Sequence, residues 1–192
     1  IMKFEISKSE LAKALNVGGS LAGSGKTTIA ILSNAKFDVT ENSLKVTSSN
    51  IETEVASEVQ VVSSDGAFSF CVEPKPLTEL LSSIQDEAVE IELADSTAMV
   101  VRYFGGEMQI PYQKADEFPL SAAIDGAVQV ELNAYTIMTE LNAALRFAGR
   151  DELRKILNSV CVKIGGGKMD ICSSDTHVLY LSEHQCEYMG DE

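Results

Sequence analysis

The tetrapeptide Ile31-Leu32-Ser33-Asn34 returns 125 residues later as Ile156-Leu157-Asn158-Ser159, and the similarity extends over residues 31–51 and 156–176. Apolar residues of the first copy correspond to apolar residues of the second: Phe37 to Val162, Val39 to Ile164, Leu44 to Met169 and Val46 to Ile171. Solenoid repeats recur about every 20–50 residues, and this longer period therefore predicts a duplicated domain. The second copy begins near residue 127, so 192 residues hold only part of a second domain.

A shorter repetition lies inside the first copy. Alternating apolar residues predict a strand at its start, helical spacing then predicts a helix, and three β-rich runs follow. The same order returns after the turn Ser63-Ser64-Asp65-Gly66, where Pro74 and Pro76 open a helix with an apolar stripe. It begins a third time near residue 127. The sequence therefore predicts an α+β fold of repeated strand–helix–strand–strand–strand units.

These units set the predicted domain boundaries. The first domain spans residues 1–119, with half-units at about 2–62 and 66–113. A polar linker follows at residues 120–126, and residues 127–192 form the first half of a second domain.

Runs of β-branched and apolar residues predict the strands of each unit. A continuous strand is predicted over residues 29–39, and its counterpart in the second copy over residues 155–164. The third unit should open with a strand at residues 128–132 and close with one at residues 177–183.

The third unit also carries a predicted helix at residues 134–147. Five apolar positions are expected to point toward the interior of a complete domain: Ile137, Met138, Leu141, Ala144 and Leu145. Because a single half-unit leaves one helix face uncovered, we expect Leu141, Ala144 and Leu145 to face water.

Composition indicates a globular protein, since 45% of the residues are hydrophobic. No run reaches the roughly 18 apolar residues that a membrane helix needs. The N-terminus lacks the apolar core of a signal peptide. We therefore expect no membrane partner and a cytoplasmic location.

The four cysteines contain no Cys-x-x-Cys pair, so no zinc site or other metal site is expected. Cys161 and Cys172 could face each other across a hairpin that turns at Gly165-Gly166-Gly167. They are either the two halves of a disulfide or a pair of small buried hydrophobic side chains.

The net charge of −14 argues against nucleic-acid binding unless the cations are locally concentrated. Their distribution leaves that possibility open, because the cations gather on helices and the loops after them: Lys8, Lys13, Lys26, Arg146, Arg150 and Arg154. Acidic side chains fall mainly on strands and turns. A plain solvated mixture of charges is the alternative.

The segment Gly23-Ser24-Gly25-Lys26-Thr27-Thr28 is close to a Walker A loop, but Ser20 stands where that motif requires its first glycine. A phosphate loop also leaves a strand and opens a helix, whereas here a helix precedes and a β-rich run follows. We interpret the segment as a polar loop that presents Lys26, and nucleotide hydrolysis is disfavoured.

Catalysis finds little support in the sequence. His177 and His184 are the only histidines, and no nucleophile elbow is present. Asp175-Thr176-His177 is more typical of a turn than of a catalytic cluster. No enzymatic activity and no cofactor are therefore expected.

Several short motifs together resemble the bacterial DNA polymerase III β subunit family, the sliding clamps. They are Met2-Lys3-Phe4-Glu5-Ile6, Ile31-Leu32-Ser33-Asn34, Asp116-Glu117-Phe118-Pro119, Arg154-Lys155-Ile156-Leu157-Asn158 and Ser174-Asp175-Thr176-His177. The motifs stand in the family's order and at its spacing along the whole chain.

The resemblance implies the DNA-clamp fold, in which two half-units make a domain, three domains a subunit and two subunits a ring. Helices line the hole and antiparallel sheets form the outer wall. It implies a non-catalytic processivity factor for the replicative polymerase that encircles duplex DNA without reading its sequence. The implied protein partners are the polymerase, the clamp loader and repair proteins, which bind through short linear motifs, and the full-length form is a homo-oligomer.

The resemblance also assigns candidate site residues. Lys26 and Arg154 match DNA-contacting positions of the family, and we add Arg146 and Arg150 from their charge and position. A cleft for partner peptides falls on Leu157, Ser174, Thr176, His177, Val178 and Leu179. Thr176 replaces the family's usual glycine and Val178 its usual arginine. A clamp-fold adaptor that binds proteins and does not encircle DNA is the alternative function.

Overall fold

The computed structural model describes residues 2–23, 29–85, 87–93, 97–119, 130–151 and 153–186. The chain divides into two compact units, unit 1 at Ile1–Ala122 and unit 2 at Ala123–Glu192. Lys26 and the predicted linker at residues 120–126 lie outside the described residues.

Unit 1 contains two half-units, each with a strand, a helix and then three further strands. Its elements are β1 (Met2–Ser7), α1 (Lys8–Gly18), a 3₁₀ helix (Ala30–Ser33), β2 (Ala35–Val39), β3 (Ser43–Ser49), β4 (Glu54–Gln60), β5 (Ser63–Ser64), β6 (Phe68–Val72), α2 (Pro74–Ser83), β7 (Ala88–Leu93), β8 (Ala98–Tyr103), β9 (Gly106–Lys114) and a 3₁₀ helix (Ala115–Glu117).

Local sequence fixes the ends of α1. The Ser7 hydroxyl accepts a hydrogen bond from the Glu10 amide at 3.2 Å, which satisfies one of the free amides of the first turn. The helix ends at Gly18, and the Gly19 amide closes the last turn on the Leu15 carbonyl at 3.0 Å. A Cβ at Gly18 would overlap the backbone of Val46, so glycine lets α1 approach β3 closely.

The strands of unit 1 form one antiparallel sheet in the order β4-β3-β2-β6-β9-β8-β7-β1-β5. The first strand of each half-unit pairs with a strand of the other half-unit: β1 with β7 and β6 with β2. This exchange joins the two half-units into a single sheet. It also gives them one shared core, because α1 and α2 pack on the same face.

The core of unit 1 is apolar and rich in aromatic rings. Phe4, Phe37 and Phe70 are fully buried, and the rings of Phe37 and Phe70 stack with centroids 5.0 Å apart. Helix α2 buries Leu77, Leu80 and Leu81 against this layer, as its helical spacing predicts.

Unit 2 repeats one half-unit. Its elements are α3 (Ala134–Leu145), a 3₁₀ helix (Lys155–Asn158), β10 (Cys161–Gly165), β11 (Lys168–Ser174) and β12 (Leu179–Gln185), with the sheet order β10-β11-β12. The 3₁₀ helix, β11 and β12 each lie 125 positions after their counterparts in unit 1. The sequence repeat is therefore a structural repeat.

The prediction of continuous strands over residues 29–39 and 155–164 is wrong at their first halves, where 3₁₀ helices stand. In unit 1 the adjacent side chains of Ile31 and Leu32 are both buried, in a small cluster with Phe118. Successive residues of a strand point to opposite faces, so a helical turn is needed to bury both.

The predicted strand at residues 128–132 is not formed where the structure describes it. Val130 makes an isolated bridge, residues 131 and 132 have no strand geometry, and residues 128 and 129 lie outside the described part. The physical reason follows from unit 1, where the first strand pairs with the other half-unit. The described part of unit 2 contains a single half-unit and offers no such partner strand.

Helix α3 ends at Leu145, two residues earlier than predicted, and only part of its apolar face is covered. Met138 and Leu145 are 63% and 57% exposed, and the exposure expected for Leu145 is confirmed. Their orientation toward the interior of a complete domain stays a prediction. Ala144 is fully buried against Met169 and Ile171, contrary to the expectation that it faces water. The Ser173 hydroxyl donates to the Ala144 carbonyl at 2.6 Å, which holds the helix on β11.

A polar cluster joins α3 to β12. The Tyr180 hydroxyl donates to Oε2 of Glu140 at 2.5 Å, and Nε2 of His184 lies 3.2 Å from the same oxygen. The neighbouring hydroxyls of Ser182 and then of Tyr180 lower the pKa of the Glu140 carboxyl from its ordinary 4.5 to about 2, because both favour the charged form. The carboxylate is therefore the charged anchor between the helix and the last strand.

The cluster predicts a pH dependence of unit 2. Because the pKa of Glu140 is depressed in the folded state, its contribution to stability is complete above pH 4.5 and is lost as the pH falls toward about 2. We expect Glu140→Gln to speed hydrogen exchange of the β12 amides several-fold at neutral pH and to remove most of the wild-type protein's acid sensitivity in that window. Glu131→Gln, which removes an exposed carboxylate just before α3, is the matched control. Equal effects of the two substitutions would contradict the assignment.

Candidate functional site

The turn between β11 and β12 and the two strand residues that flank it contain five of the six predicted cleft residues. Two side-chain oxygens organise its backbone. The Ser174 hydroxyl accepts from the Thr176 amide at 3.1 Å and donates to the Val178 carbonyl at 2.7 Å. Oδ1 of Asp175 accepts from the amides of His177 and Val178 at 2.9 and 2.8 Å. The turn is therefore held by its own side chains, which fixes the directions of the cleft residues.

The Asp175–His177 pair belongs to this turn architecture. The amide of Val178, followed by that of His177, lowers the pKa of the Asp175 carboxyl, because both bond the charged form. The His177 side chain is exposed. Both residues thus have the turn role that the sequence indicates.

Thr176 adopts a backbone conformation that favours glycine. Its φ is 81°, in the left-handed region that β-branched residues rarely occupy. Ile51, 125 positions earlier, has a φ of 79°, and its amide donates to the Ser49 hydroxyl as the Thr176 amide does to Ser174. The shape of the turn is therefore a property of the half-unit and does not depend on a glycine.

The final strand begins at Leu179, so the prediction that it starts at His177 is wrong by two residues. The difference arises because the bonds to Asp175 hold residues 177 and 178 in the turn. Leu179 and Leu181 are 66% and 67% exposed on the same face of β12. Leu181 was not predicted as a site residue, although its spacing of two from Leu179 would have revealed it.

Leu157 lies in a different segment, the 3₁₀ helix Lys155–Asn158. The Gly149 amide donates to the Leu157 carbonyl at 2.7 Å. The Asn158 side chain accepts from the Asp151 backbone amide at 2.8 Å and donates to the Asp151 carbonyl at 3.0 Å. These bonds close the loop between α3 and β10. The loop presents apolar side chains, since Leu153 and Ile156 are both highly exposed.

Three of the four predicted DNA-contacting residues stand in this loop or beside it. Arg146 caps the C-terminal end of α3, and both Arg146 and Arg150 are exposed. The guanidinium of Arg154 binds Oδ2 of Asp151 through Nε and one terminal nitrogen, at 2.8 and 2.7 Å. The charge of Arg154 is thus partly neutralised locally, whereas the other two arginines form no ion pair with any residue that the structure describes.

The outer face of the sheet in unit 1 carries an ion-pair network on strands β1, β7, β8 and β9. Lys3 binds Glu90 at 3.0 Å, and Arg102 binds Glu90, Glu92 and Glu107. On the helix layer Lys8 donates to the carbonyl of Ile84 at 2.6 Å, at the end of α2, and Lys13 is exposed. Both faces of unit 1 therefore contain cations.

Two further observations on the described residues concern metal ligands and membrane-spanning helices. Within the described ranges, no three or more His, Cys, Asp and Glu side chains are placed to hold a metal ion. Nor does any helix in that part of the chain have the length and apolar character needed to cross a membrane.

Comparison with known proteins gives a consistent family relationship. Residues 2–122 match the family described as DNA polymerase III beta subunit, N-terminal domain. The beta sliding clamp of Vibrio cholerae is 26% identical over 185 residues, which cover 96% of this chain and 50% of that protein. That of Synechocystis is 25% identical over an alignment of 200 residues, covering 100% of this chain and 50% of that protein.

A solved structure supports the same fold. The DNA polymerase sliding clamp from Bacillus subtilis superposes with a TM-score of 0.89 at 20% identity, over 98% of this chain and 51% of that one. The antiparallel sheets and packed helices described above match the clamp fold. The chain spans about half the length of the curated relatives it matches.

The conformation of Thr176 predicts a stabilising substitution. We expect Thr176→Gly to raise the stability of unit 2 by about 1 kcal/mol. A non-glycine residue with a left-handed backbone costs about 1–3 kcal/mol, and the larger conformational entropy that glycine loses on folding offsets part of the gain. Ser159→Gly is the control, since its backbone is extended with a φ of −116° and the same change should destabilise. The measurement is urea unfolding of both variants. Destabilisation by Thr176→Gly as large as that of the control would contradict the claim of strain.

Proposed function

The chain belongs to the DNA polymerase III β subunit family, and on that premise we propose that it serves as part of a DNA sliding clamp. Such a clamp is a processivity factor that encircles duplex DNA and tethers the replicative polymerase. The observation that carries the proposal is the match of residues 2–122 to the N-terminal domain of that family. The role is topological and needs no catalytic residue and no cofactor.

The architecture supports this role through its layers. In unit 1 one continuous sheet covers a helix layer, and strand exchange makes the two half-units inseparable. In the proposed ring the sheets form the outer wall and the helices line the hole, and the full-length form closes as a homo-oligomer in the cytoplasm. A ring raises the effective concentration of a tethered partner without tight binding to DNA.

DNA contact in the proposed ring has to be electrostatic and independent of sequence. Phosphate contacts supply such binding, and they weaken as counterions are added. Because the whole chain carries a net charge of −14, the contacts depend on local groups of cations. We assign them to Lys26, Arg146, Arg150 and Arg154. Among the last three, the exposed Arg146 and Arg150 should contribute more than Arg154, which is paired with Asp151.

Partner binding is proposed at the turn between β11 and β12 and the loop that carries Leu157. The exposed apolar side chains of Leu179 and Val178 suit the hydrophobic residues of short linear motifs in the polymerase, the clamp loader and repair proteins. Val178 in place of arginine makes the turn less polar than the family pattern. We therefore expect it to favour peptides with an apolar residue at the facing position.

The alternative, a clamp-fold adaptor that binds proteins without encircling DNA, is favoured by one observation, the strong negative charge. The two functions share the fold and the peptide cleft. They differ in whether the arginines after α3 contact phosphates, and this difference can be measured.

A double substitution that removes two positive charges tests the assignment of the DNA-contacting residues. We expect Arg146→Gln/Arg150→Gln to weaken binding to a short labelled duplex and to flatten the slope of log affinity against log salt. The slope should change by about 0.9 for each phosphate that the variant no longer neutralises. Fluorescence anisotropy across a salt series measures both quantities, and Lys26→Gln is tested in the same way for unit 1.

Lys45→Gln/Lys163→Gln is the matched control. It removes the same charge from exposed positions on β3 and β10. An equal change of slope in the control would show that only net charge matters. No binding by the wild-type protein at the lowest salt would overturn the DNA role and support the adaptor.

A further inference from the structure

Two cysteines lie directly opposite each other in the sheet of unit 2. Cys161 of β10 is paired with Cys172 of β11 in the sheet register, and Cys172 is in turn paired with Leu181 of β12. These three residues form one row across the sheet. The buried residues Met169 and Ile171 alternate with Cys172 along β11, so both thiols are on the face of the sheet away from the core. Because the two residues are directly opposed in the ladder, their side chains are neighbours on that face.

Neither expectation from the sequence describes this pair. Both cysteines are free thiols, so the disulfide is not formed, and Cys161 is exposed, so the two are not a buried hydrophobic pair. The corresponding row of unit 1, 125 positions earlier, contains Lys36 opposite Thr47. The fold therefore does not require cysteine at this place, and the pair is a feature of unit 2 alone.

The pair adjoins both segments of the proposed peptide cleft. Cys172 precedes Ser174 by two residues on the same strand face, directly before the β11–β12 turn. Cys161 begins the strand that follows the 3₁₀ helix with Leu157. A covalent bond between the two sulfurs would tie the segment leaving that helix to the segment entering the turn.

We propose that Cys161 and Cys172 form a reversible thiol–disulfide site that reacts with a small-molecule disulfide such as oxidised glutathione. The Cys161 thiolate attacks one sulfur of oxidised glutathione, and one glutathione thiolate leaves. The Cys172 thiolate then attacks the sulfur of Cys161 in the mixed disulfide and releases the second glutathione. Two protein thiols are oxidised, one glutathione disulfide is reduced to two thiols, and the two protons from the protein thiols pass through solvent to the glutathione thiolates.

The order of attack follows from accessibility. Cys161 is exposed and can meet a soluble disulfide, whereas Cys172 is partly covered. Burial and the neighbouring Cys161 raise the pKa of the Cys172 thiol, so it is the less reactive thiol toward an external disulfide. Once Cys161 carries glutathione, Cys172 is already beside the sulfur that it must attack.

The geometry requires only a small approach of the strands. Opposed residues of an antiparallel pair have Cβ atoms about 4.5–5.5 Å apart, and a disulfide needs about 3.5–4.5 Å. The closed loop runs through the glycine turn Gly165-Gly166-Gly167, where two glycines have positive φ and leave the hairpin able to adjust. The chemistry of the site does not depend on the proposed function, whereas its effect on the cleft rests on it.

The other cysteines of the chain provide controls. Cys71 is fully buried in unit 1, and burial raises the pKa of its thiol to about 12, which makes it unreactive. Cys186 follows β12 and is partly exposed, in the same unit as the pair. Cys186→Ser therefore removes a thiol of comparable accessibility without touching the pair.

The test equilibrates the protein with glutathione buffers of increasing oxidised fraction, then traps thiols by alkylation for intact-mass measurement and peptide mapping. We expect the wild-type protein and Cys186→Ser to lose the mass of two hydrogen atoms and to yield a Cys161–Cys172 linked peptide, reversed by excess reduced glutathione. Cys161→Ser and Cys172→Ser should lose this species completely. Cys172→Ser should accumulate a glutathione adduct on Cys161 instead.

Two results would overturn the proposal. One is a wild-type protein that forms only mixed disulfides with glutathione under all buffers. The other is an intramolecular disulfide that persists in Cys161→Ser or Cys172→Ser, because a different pair would then be reacting. Since the protein is tested without DNA or peptide, either result stands apart from any failure of the sliding-clamp assignment.

Discussion

The structure depends on a hydrogen-bonding constraint: the first strand of a half-unit is completed by the other half-unit. In unit 1, β1 pairs with β7 and β6 pairs with β2, which turns two similar halves into one sheet over one core. Unpaired backbone groups on a strand edge are costly when water is excluded. Within unit 1, neither half-unit therefore completes the sheet by itself. The single half-unit of unit 2 has a formed helix and hairpin, while described residues 130–132 are not a strand.

Backbone hydrogen bonding also shapes the candidate cleft. The turn between β11 and β12 takes its form from the Ser174 hydroxyl and the Asp175 carboxylate, and its counterpart in unit 1 uses Ser49 and Asn50 for similar bonds. Side-chain oxygens that satisfy backbone amides define turn geometry more strongly than the residue at the apex. This explains how Thr176 occupies a position where clamps usually have glycine. Function then depends on what the fixed turn presents, namely exposed apolar side chains beside a strand face.

Much of this architecture could be predicted from the sequence, because the 125-residue repeat records the half-unit directly. The hairpin strands and the buried apolar face of α2 can be predicted because each follows from the spacing of apolar residues along the sequence. The 3₁₀ helix at Ile31 and Leu32 was missed because two adjacent side chains are buried by a cluster distant in sequence. The ion pair between Arg154 and Asp151 was missed because it depends on the loop conformation, in which Asp151 also accepts from the backbone amides of Leu153 and Arg154. Lys26 lies outside the described residues, so its role stays a prediction.

The central claim is that strand exchange between half-units controls which edges of this fold are covered. Hydrogen exchange measured amide by amide along β2 and β10 tests it most directly, since the two strands are repeat counterparts. We expect slow exchange on both edges of β2, which lies between β3 and β6, and on the β11-facing edge of β10 alone. The outward amides of β10 should exchange nearly as fast as those of an unfolded chain. Slow exchange along both edges of β10 would contradict the claim.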